Sequence, residues 1–181
     1  MTRKYLLPVI GLCAIFLTAC SQTQTSNSGG SAPPDSAGQI QTTNEAAPAD
    51  VVRAEAPAVE IKAGETKDVE VKLTIQQGYH INANPPTFSY LKATELTVEP
   101  GGGITPGKPA YPASVTRKFS FSKDPLAVYE GETAIRLPLA AAADAKKGAQ
   151  TLKGKLRAQA CDDEKCYPPR NLEVPLAVTI K

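Results

Sequence analysis

The stretch DVEVKLTIQ, Asp68 to Gln76, alternates without a break: Val69, Val71, Leu73 and Ile75 fall on one parity, and Asp68, Glu70, Lys72, Thr74 and Gln76 on the other. Successive side chains of an extended chain point to opposite faces, so this run reads as a half-buried β-strand with one apolar face. The pattern returns at the C-terminus, where Leu172, Val174, Leu176, Val178 and Ile180 share a parity. Pro175 lies on the other parity and cannot donate to a ladder, which marks an edge position or a bulge. Weaker strands are predicted at Val59 to Lys62, Thr94 to Glu99, Val115 to Phe121, Leu126 to Tyr129, Thr133 to Ala140 and Thr151 to Ala160. Turn signals separate them at Gln77-Gly78, Pro100 to Gly103, Glu130-Gly131 and Lys147-Gly148.

Ala140 to Ala145 is the one stretch with room for a helical turn, and Pro138 and Gly148 confine it. Seven or eight short strands without helices predict an all-β domain, an antiparallel β-sandwich of immunoglobulin-like type. It occupies residues 53–181, a length sufficient for one domain with its own core.

Upstream of that domain the composition changes twice. Arg3 and Lys4 precede the apolar run Leu6 to Thr18, which is too short to span a bilayer and reads as a secretory signal. The site Leu17-Thr18-Ala19-Cys20 resembles a bacterial lipobox, so residues 1–20 are expected to be a lipoprotein signal peptide with Cys20 lipidated. Ser21 after that cysteine resembles the sorting context of outer-membrane lipoproteins. The competing reading is an ordinary cleaved signal with a chance cysteine nearby. Residues 21–52 are Ser, Thr, Gln, Asn, Ala, Gly and Pro with Ile40 as the only large apolar residue before Val51, a disordered, flexible tether by composition. As a random coil it would reach on the order of 30 Å. Both readings place the protein outside the cytoplasm, where disulfides persist.

Loss of Arg3 and Lys4 reduces the 20 basic residues to 18, equal to the 18 acidic ones. A neutral chain with no basic run, one His and no Trp carries no footprint for nucleic acid.

Four cysteines are encoded; Cys13 would leave with the signal and Cys20 would carry the lipid, so Cys161 and Cys166 are left for sulfur chemistry. Leu152, Leu156, Ala158 and Ala160 share one face of their strand, while Lys153, Lys155, Arg157, Gln159 and Cys161 share the other. Cys161 is therefore expected to point away from the core and lie near a surface. The loop Asp162-Asp163-Glu164-Lys165 has a common hairpin length and sets Cys161 opposite Cys166. Cα atoms so placed lie about 4.5 to 5.5 Å apart, within disulfide range. Two uses of such a bridge stay open. As a structural brace it contributes only about 2 kcal/mol by loop-closure entropy, in a domain large enough to fold without it. As an exchange site it needs to be open to a partner's thiolate. Asp162, Asp163 and Glu164 oppose thiolate formation and Lys165 and Arg170 offset them in part, which predicts slow reaction with small oxidants and a need for a docked partner.

GYHINANPP at Gly78 to Pro86, Tyr111-Pro112, VYEG at Val128 to Gly131 and QACDDEKCYPP at Gln159 to Pro169 resemble the family of periplasmic N-terminal domains of the thiol:disulfide interchange protein DsbD. The resemblance covers about Val51 to Lys181. It implies an immunoglobulin-like fold whose pair Cys161 and Cys166 is catalytic and relays electrons, with Cys166 forming mixed disulfides. The implied donor is a thioredoxin-like protein or a membrane thiol transporter, and the clients are oxidised periplasmic proteins. Family members shield the pair with an aromatic cap, and the matching stretch is Phe119 to Tyr129, with Phe121 the first choice and Phe119 the second. Both share the parity of Val115 and read equally well as core. Tyr79, His80 and Asn82 would lie in a loop beside the pair, with Tyr167 flanking it; His80 reads better as a packing residue than as a proton shuttle. The best-known members have one more residue between their cysteines. Full-length DsbD also continues into membrane helices and a thioredoxin-like domain where this sequence ends, so its donor is expected to be a separate protein.

Other chemistries lack their parts. One His and a bonded cysteine pair do not make a zinc or copper site, and no cofactor is expected. His80 stands beside no nucleophile signature, and Gly101 to Gly103 precedes Ile-Thr-Pro rather than a phosphate-binding helix. The remaining rival is a lipid-anchored β-sandwich that binds or scaffolds another envelope protein.

Overall fold

A computed structural model describes residues 45–181. The signal peptide, Cys20 and most of the expected tether lie outside the described residues.

The two alternating runs form the longest strands because each has an apolar face to bury. Twelve strands are described, and no helix among these residues: β1 (Val52–Glu55), β2 (Val59–Ile61), β3 (Thr66–Ile75), β4 (His80–Asn82), β5 (Glu95–Val98), β6 (Ile104–Pro106), β7 (Val115–Arg117), β8 (Leu126–Tyr129), β9 (Glu132–Ala141), β10 (Gly148–Ala158), β11 (Ala160–Cys161) and β12 (Arg170–Ile180). They make three four-stranded sheets, ordered β1-β3-β9-β6, β2-β12-β10-β5 and β11-β4-β8-β7. Only β2 with β12 is parallel; the remaining pairings are antiparallel.

The first two sheets close on each other. Val69, Val71 and Leu73 of β3 and Ile135, Leu137 and Leu139 of β9 share a core with Leu152 and Leu156 of β10 and Val174, Leu176 and Val178 of β12. This is the antiparallel, immunoglobulin-like sandwich that the periodicity predicts. Pro175 pairs with Lys153, while β2 reaches β12 only at Val178 to Ile180, so the other side of β12 is open at the proline. Gly154, in the middle of β10, has no room for a side chain: a Cβ there would run into the Val174 carbonyl and stand 2.7 Å from the Leu176 methyl.

Three differences from the sequence reading bear on function. The ordered body begins earlier than residue 53, because Ala47, Val51 and Val52 are buried in the main core. The strand expected over Val115 to Phe121 ends at Arg117, and the residues after it fold over the third sheet instead of continuing along its edge. Lastly, His80 to Asn82 is a strand rather than a loop. All three of its residues are buried, which removes the alternation that would have revealed it.

The third sheet has two buried faces. Ile81, Tyr129 and Ala160 point into the main core. The opposite face carries a smaller cluster of Leu91, Phe119, Leu126 and Val128, with Phe88 and Phe121 packed against it.

Candidate functional site

Past Ala158 the chain leaves the ladder with β12 and crosses to β4, where Ala160 pairs with Ile81 and Cys161 with His80. Parity carries through the crossing: Ala160 faces the main core and Cys161 the opposite side. The Asp162 N–H donates to the Lys165 carbonyl at 3.0 Å and closes the hairpin, which brings Cys161 opposite Cys166. The two cysteines are disulfide-bonded, with Cα atoms 4.0 Å apart.

The hairpin is held from within by one carboxylate. Asp162 Oδ1 accepts the backbone N–H groups of Glu164 and Lys165 at 2.9 and 2.8 Å, and Oδ2 accepts the Tyr167 hydroxyl at 2.7 Å. Burial acts to raise the Asp162 carboxyl, but the bonds from Tyr167, Glu164 and Lys165 together outweigh it and hold it below the usual range. The Tyr167 phenol is pushed well above its ordinary value, chiefly by donating to Asp162. Its ring lies 6.2 Å from that of Tyr79.

The expectation of an outward-facing pair is corrected: Cys161 and Cys166 are both 0% exposed. Their face of the sheet is not bare. His80, paired with Cys161, is 3% exposed, and its imidazole stacks on Phe119 with centroids 3.9 Å apart. Phe119 stacks in turn on Phe121 at 5.3 Å. Ser120 Oγ donates to the Asp163 carbonyl at 2.6 Å and latches this segment to the cysteine hairpin. Phe119 is thus the more deeply placed ring, 7% exposed, and Phe121 the outer one, half-buried.

The flanking charges are also arranged differently from the expectation. Lys165 Nζ pairs with Glu45 at 3.1 Å, and Arg170 Nη1 donates to the carbonyls of Ala47 and Pro48. Both cations of the hairpin are spent on the N-terminal segment instead of on sulfur. The bond to Glu45 raises the Lys165 ammonium. On the other side Glu130 is lowered by its hydrogen bond and ion pair with Arg117.

Behind the hairpin lies a buried amide network that residue types alone did not announce. Asn82 Nδ2 donates to Gln159 Oε1 at 3.0 Å and to the Lys92 carbonyl at 3.2 Å. Gln159 Oε1 also accepts the Lys92 N–H, and Gln159 Nε2 donates to the Tyr167 carbonyl at 3.0 Å. Gln159 is 4% exposed, although its parity beside Lys155 and Arg157 predicted a solvent-facing position. The signal available was its place inside the cysteine motif.

Burial pulls the His80 imidazole down from 6.5 to about 4, with the carboxylates of Asp163, Asp162 and Glu130 pulling the other way. It is therefore neutral at pH 7. Its Nε2 and the Asn82 Oδ1 are buried without a hydrogen-bond partner among the described residues. No group of three or more His, Cys, Asp or Glu among the described residues is placed to hold a metal ion.

A disulfide closing a four-residue hairpin beneath an aromatic segment defines a class of β-sandwich domain with a covered cysteine pair. The family described as "Thiol:disulfide interchange protein DsbD, N-terminal" matches residues 48–177. The chain belongs to this family, and with its bonded pair it stands, at family level, among proteins of thiol–disulfide exchange.

Similar solved structures include the reduced DsbD N-terminal domain of Neisseria meningitidis, at 20% identity and a TM-score of 0.47, covering 72% of this chain and 87% of that one. The N-terminal periplasmic domain of ScsB from Proteus mirabilis is 12% identical with a TM-score of 0.46. That match covers 69% of this chain but spans only 44% of the ScsB chain. A type I cohesin from Pseudobacteroides cellulosolvens follows at 8% identity and a TM-score of 0.44, covering 72% and 92% of the two chains. No curated protein matches the chain.

Proposed function

We propose that this domain is a thiol–disulfide oxidoreductase that relays electrons through Cys161 and Cys166. The donor is a thioredoxin-like protein or a membrane thiol transporter, and the acceptors are oxidised proteins of the cell envelope. Residues 1–20 direct export and supply Cys20 for a lipid, and the residues between them and the folded body tether the domain to the periplasmic face of a membrane, the outer one by the context of Ser21. No helix among the described residues is long and apolar enough to cross a membrane. Cys166 takes the mixed disulfide and Cys161 resolves it. Phe119, Phe121, Tyr79 and Tyr167 form the cover and flank, and His80 and Asn82 line the strand beneath.

The observation that carries this reading is the placement of the bond. It joins two residues already opposed in a short hairpin, where it adds little to stability, under a segment latched to that hairpin through one serine hydroxyl. A bridge of that kind can be opened while the sandwich stays folded. In the test, a thioredoxin-like reductant is mixed with the native domain, and Cys161→Ala is used to trap Cys166 in a mixed disulfide. Reduction of the folded domain and trapping at Cys166 are the expected results.

The complete burial of both cysteines favours a second reading, a non-catalytic scaffold braced by its disulfide. A bridge that yields only when the domain unfolds, or a potential below about −300 mV, would select that reading.

A further inference from the structure

Two observations about His80 are left unused by a purely structural role. Its ring is stacked and 3% exposed, yet Nε2 ends without a partner among the described residues. Such atoms are uncommon in folded proteins, because a buried polar group without a hydrogen bond is costly. Its register is also specific. His80 is the β4 residue directly opposite Cys161, and directly opposed residues project from the same face with Cβ atoms about 4.5 to 5.5 Å apart. While Cys161 is locked in the disulfide, its sulfur offers the imidazole only a poor partner. Once the bond opens, a thiol or thiolate stands at that position.

We propose that His80 is the acid–base partner of Cys161, holding its thiolate as the bridge opens and taking its proton when the bridge re-forms. The proposal rests on the exchange reading and names the residue that handles its protons. On reduction, a donor thiolate attacks Cys166 Sγ. The donor–Cys166 bond forms, the Cys161–Cys166 bond breaks, and the electron pair leaves on Cys161 Sγ. The donor's second thiolate then displaces Cys166, so the donor becomes a disulfide and the domain a dithiol. The donor gives up two protons in all: one ends on the Cys166 thiol and the other on His80, opposite the Cys161 thiolate, and passes from His80 to Cys161 when the dithiol forms. In the opposite direction Cys166 attacks an oxidised client. Cys161 must then lose its proton to resolve the mixed disulfide, and the neutral imidazole is the base on its face of the sheet.

The surroundings suit this task. Asp162 and Asp163 from the hairpin and Glu130 beyond β8 are the charges that act on the ring, and all three favour its protonated form. Of the cations on the covering side, Arg117 pairs with Glu130 and Lys118 donates to the Lys123 carbonyl, while Lys123 is exposed. In the oxidised state burial dominates and keeps the ring neutral. A thiolate across the ladder tips that balance, since an opposite charge at such range raises a base by about one to three pH units.

His80 is the only histidine in the chain, so a single imidazole signal reports on it. The experiment is an NMR titration of the His80 ring from pH 3.5 to 9, in the oxidised domain and in the domain reduced with a phosphine. The expected midpoint lies near 4 when oxidised and about one to three pH units higher when reduced. Equal midpoints in the two states would overturn the proposal. As a second measurement, His80→Gln is expected to slow resolution of a Cys166 mixed disulfide about tenfold at pH 7 and to flatten its pH profile; an unchanged rate and profile would also overturn it. Because the titration uses chemical reduction, it decides the role of His80 even if no thioredoxin-like protein opens the native bridge, a result that would count against the exchange reading alone.

Discussion

Replacing Phe119 by alanine should expose the disulfide to small reductants without unfolding the sandwich. Phe119 is 7% exposed and belongs to the smaller cluster, apart from the main core between the two large sheets. Burial of a phenylalanine side chain contributes about 1.5 to 3 kcal/mol, and aromatic pairing adds about 0.5 to 1.5 kcal/mol for a well-formed stack. Phe119 makes two such stacks, on His80 and on Phe121. The cluster is small and lies toward the surface, so part of this is recovered by relaxation and a net loss of about 2 to 3 kcal/mol is expected. If the bridge reacts only when the segment lifts, the reduction rate follows the open population. A tenfold change per 1.4 kcal/mol then gives an acceleration of about 30- to 150-fold. The assay is timed reduction by a phosphine with acid quench, alkylation and mass counting, in buffer where circular dichroism shows the variant folded. A rate within twofold of wild type, in a folded variant, would show that Phe119 does not limit access and refute the cover.

Acid should loosen the oxidised domain through the same histidine. The His80 midpoint is about 4 in the folded state against 6.5 in an unfolded chain, so between these values the unfolded chain binds a proton that the folded one refuses. The stability it contributes is complete above pH 6.5 and is lost as pH falls toward 4. At about 1.4 kcal/mol per pH unit it amounts to about 3 kcal/mol, read as the difference between denaturant unfolding of wild type and His80→Gln across this range; parallel curves would contradict it. Asp162→Ala removes the acceptor of two backbone N–H groups and the Tyr167 hydroxyl. With the hairpin less well held, equilibrium with glutathione should move toward the dithiol by about five- to thirtyfold, from about 1 to 2 kcal/mol of lost hydrogen bonding. An unmoved equilibrium would mean that the carboxylate does not hold the two sulfurs together.

The sandwich was legible wherever a strand buried one face and wetted the other. β3, β10 and β12 write their burial into every second residue, and their predicted limits fall close to the observed ones. β4 was illegible because His80, Ile81 and Asn82 are all buried, two of them polar. β6 offers three residues ending in proline, too few for a period to show. Beyond Arg117 the sequence continues to alternate through Phe119 and Phe121, but the second of two cores claims those rings, so the same parity marks a fold-over instead of a strand. The cysteine pairing followed from the hairpin-length loop between Cys161 and Cys166, the two cysteines outside the expected signal peptide. Its burial did not, since the covering residue Ser120 lies 43 positions from the Asp163 it grips, and such a separation leaves no local trace. Gln159 was missed for a related reason: its partners Asn82 and Lys92 are distant in sequence.

The grip of Lys165 and Arg170 on Glu45, Ala47 and Pro48 fixes where the described body receives the preceding chain. The point of entry is the cysteine hairpin itself. A force arriving along the backbone at residue 45 would meet Lys165 and Arg170 before it reached the hydrophobic interior. A load on the preceding chain would thus bear first on the hairpin that carries the disulfide.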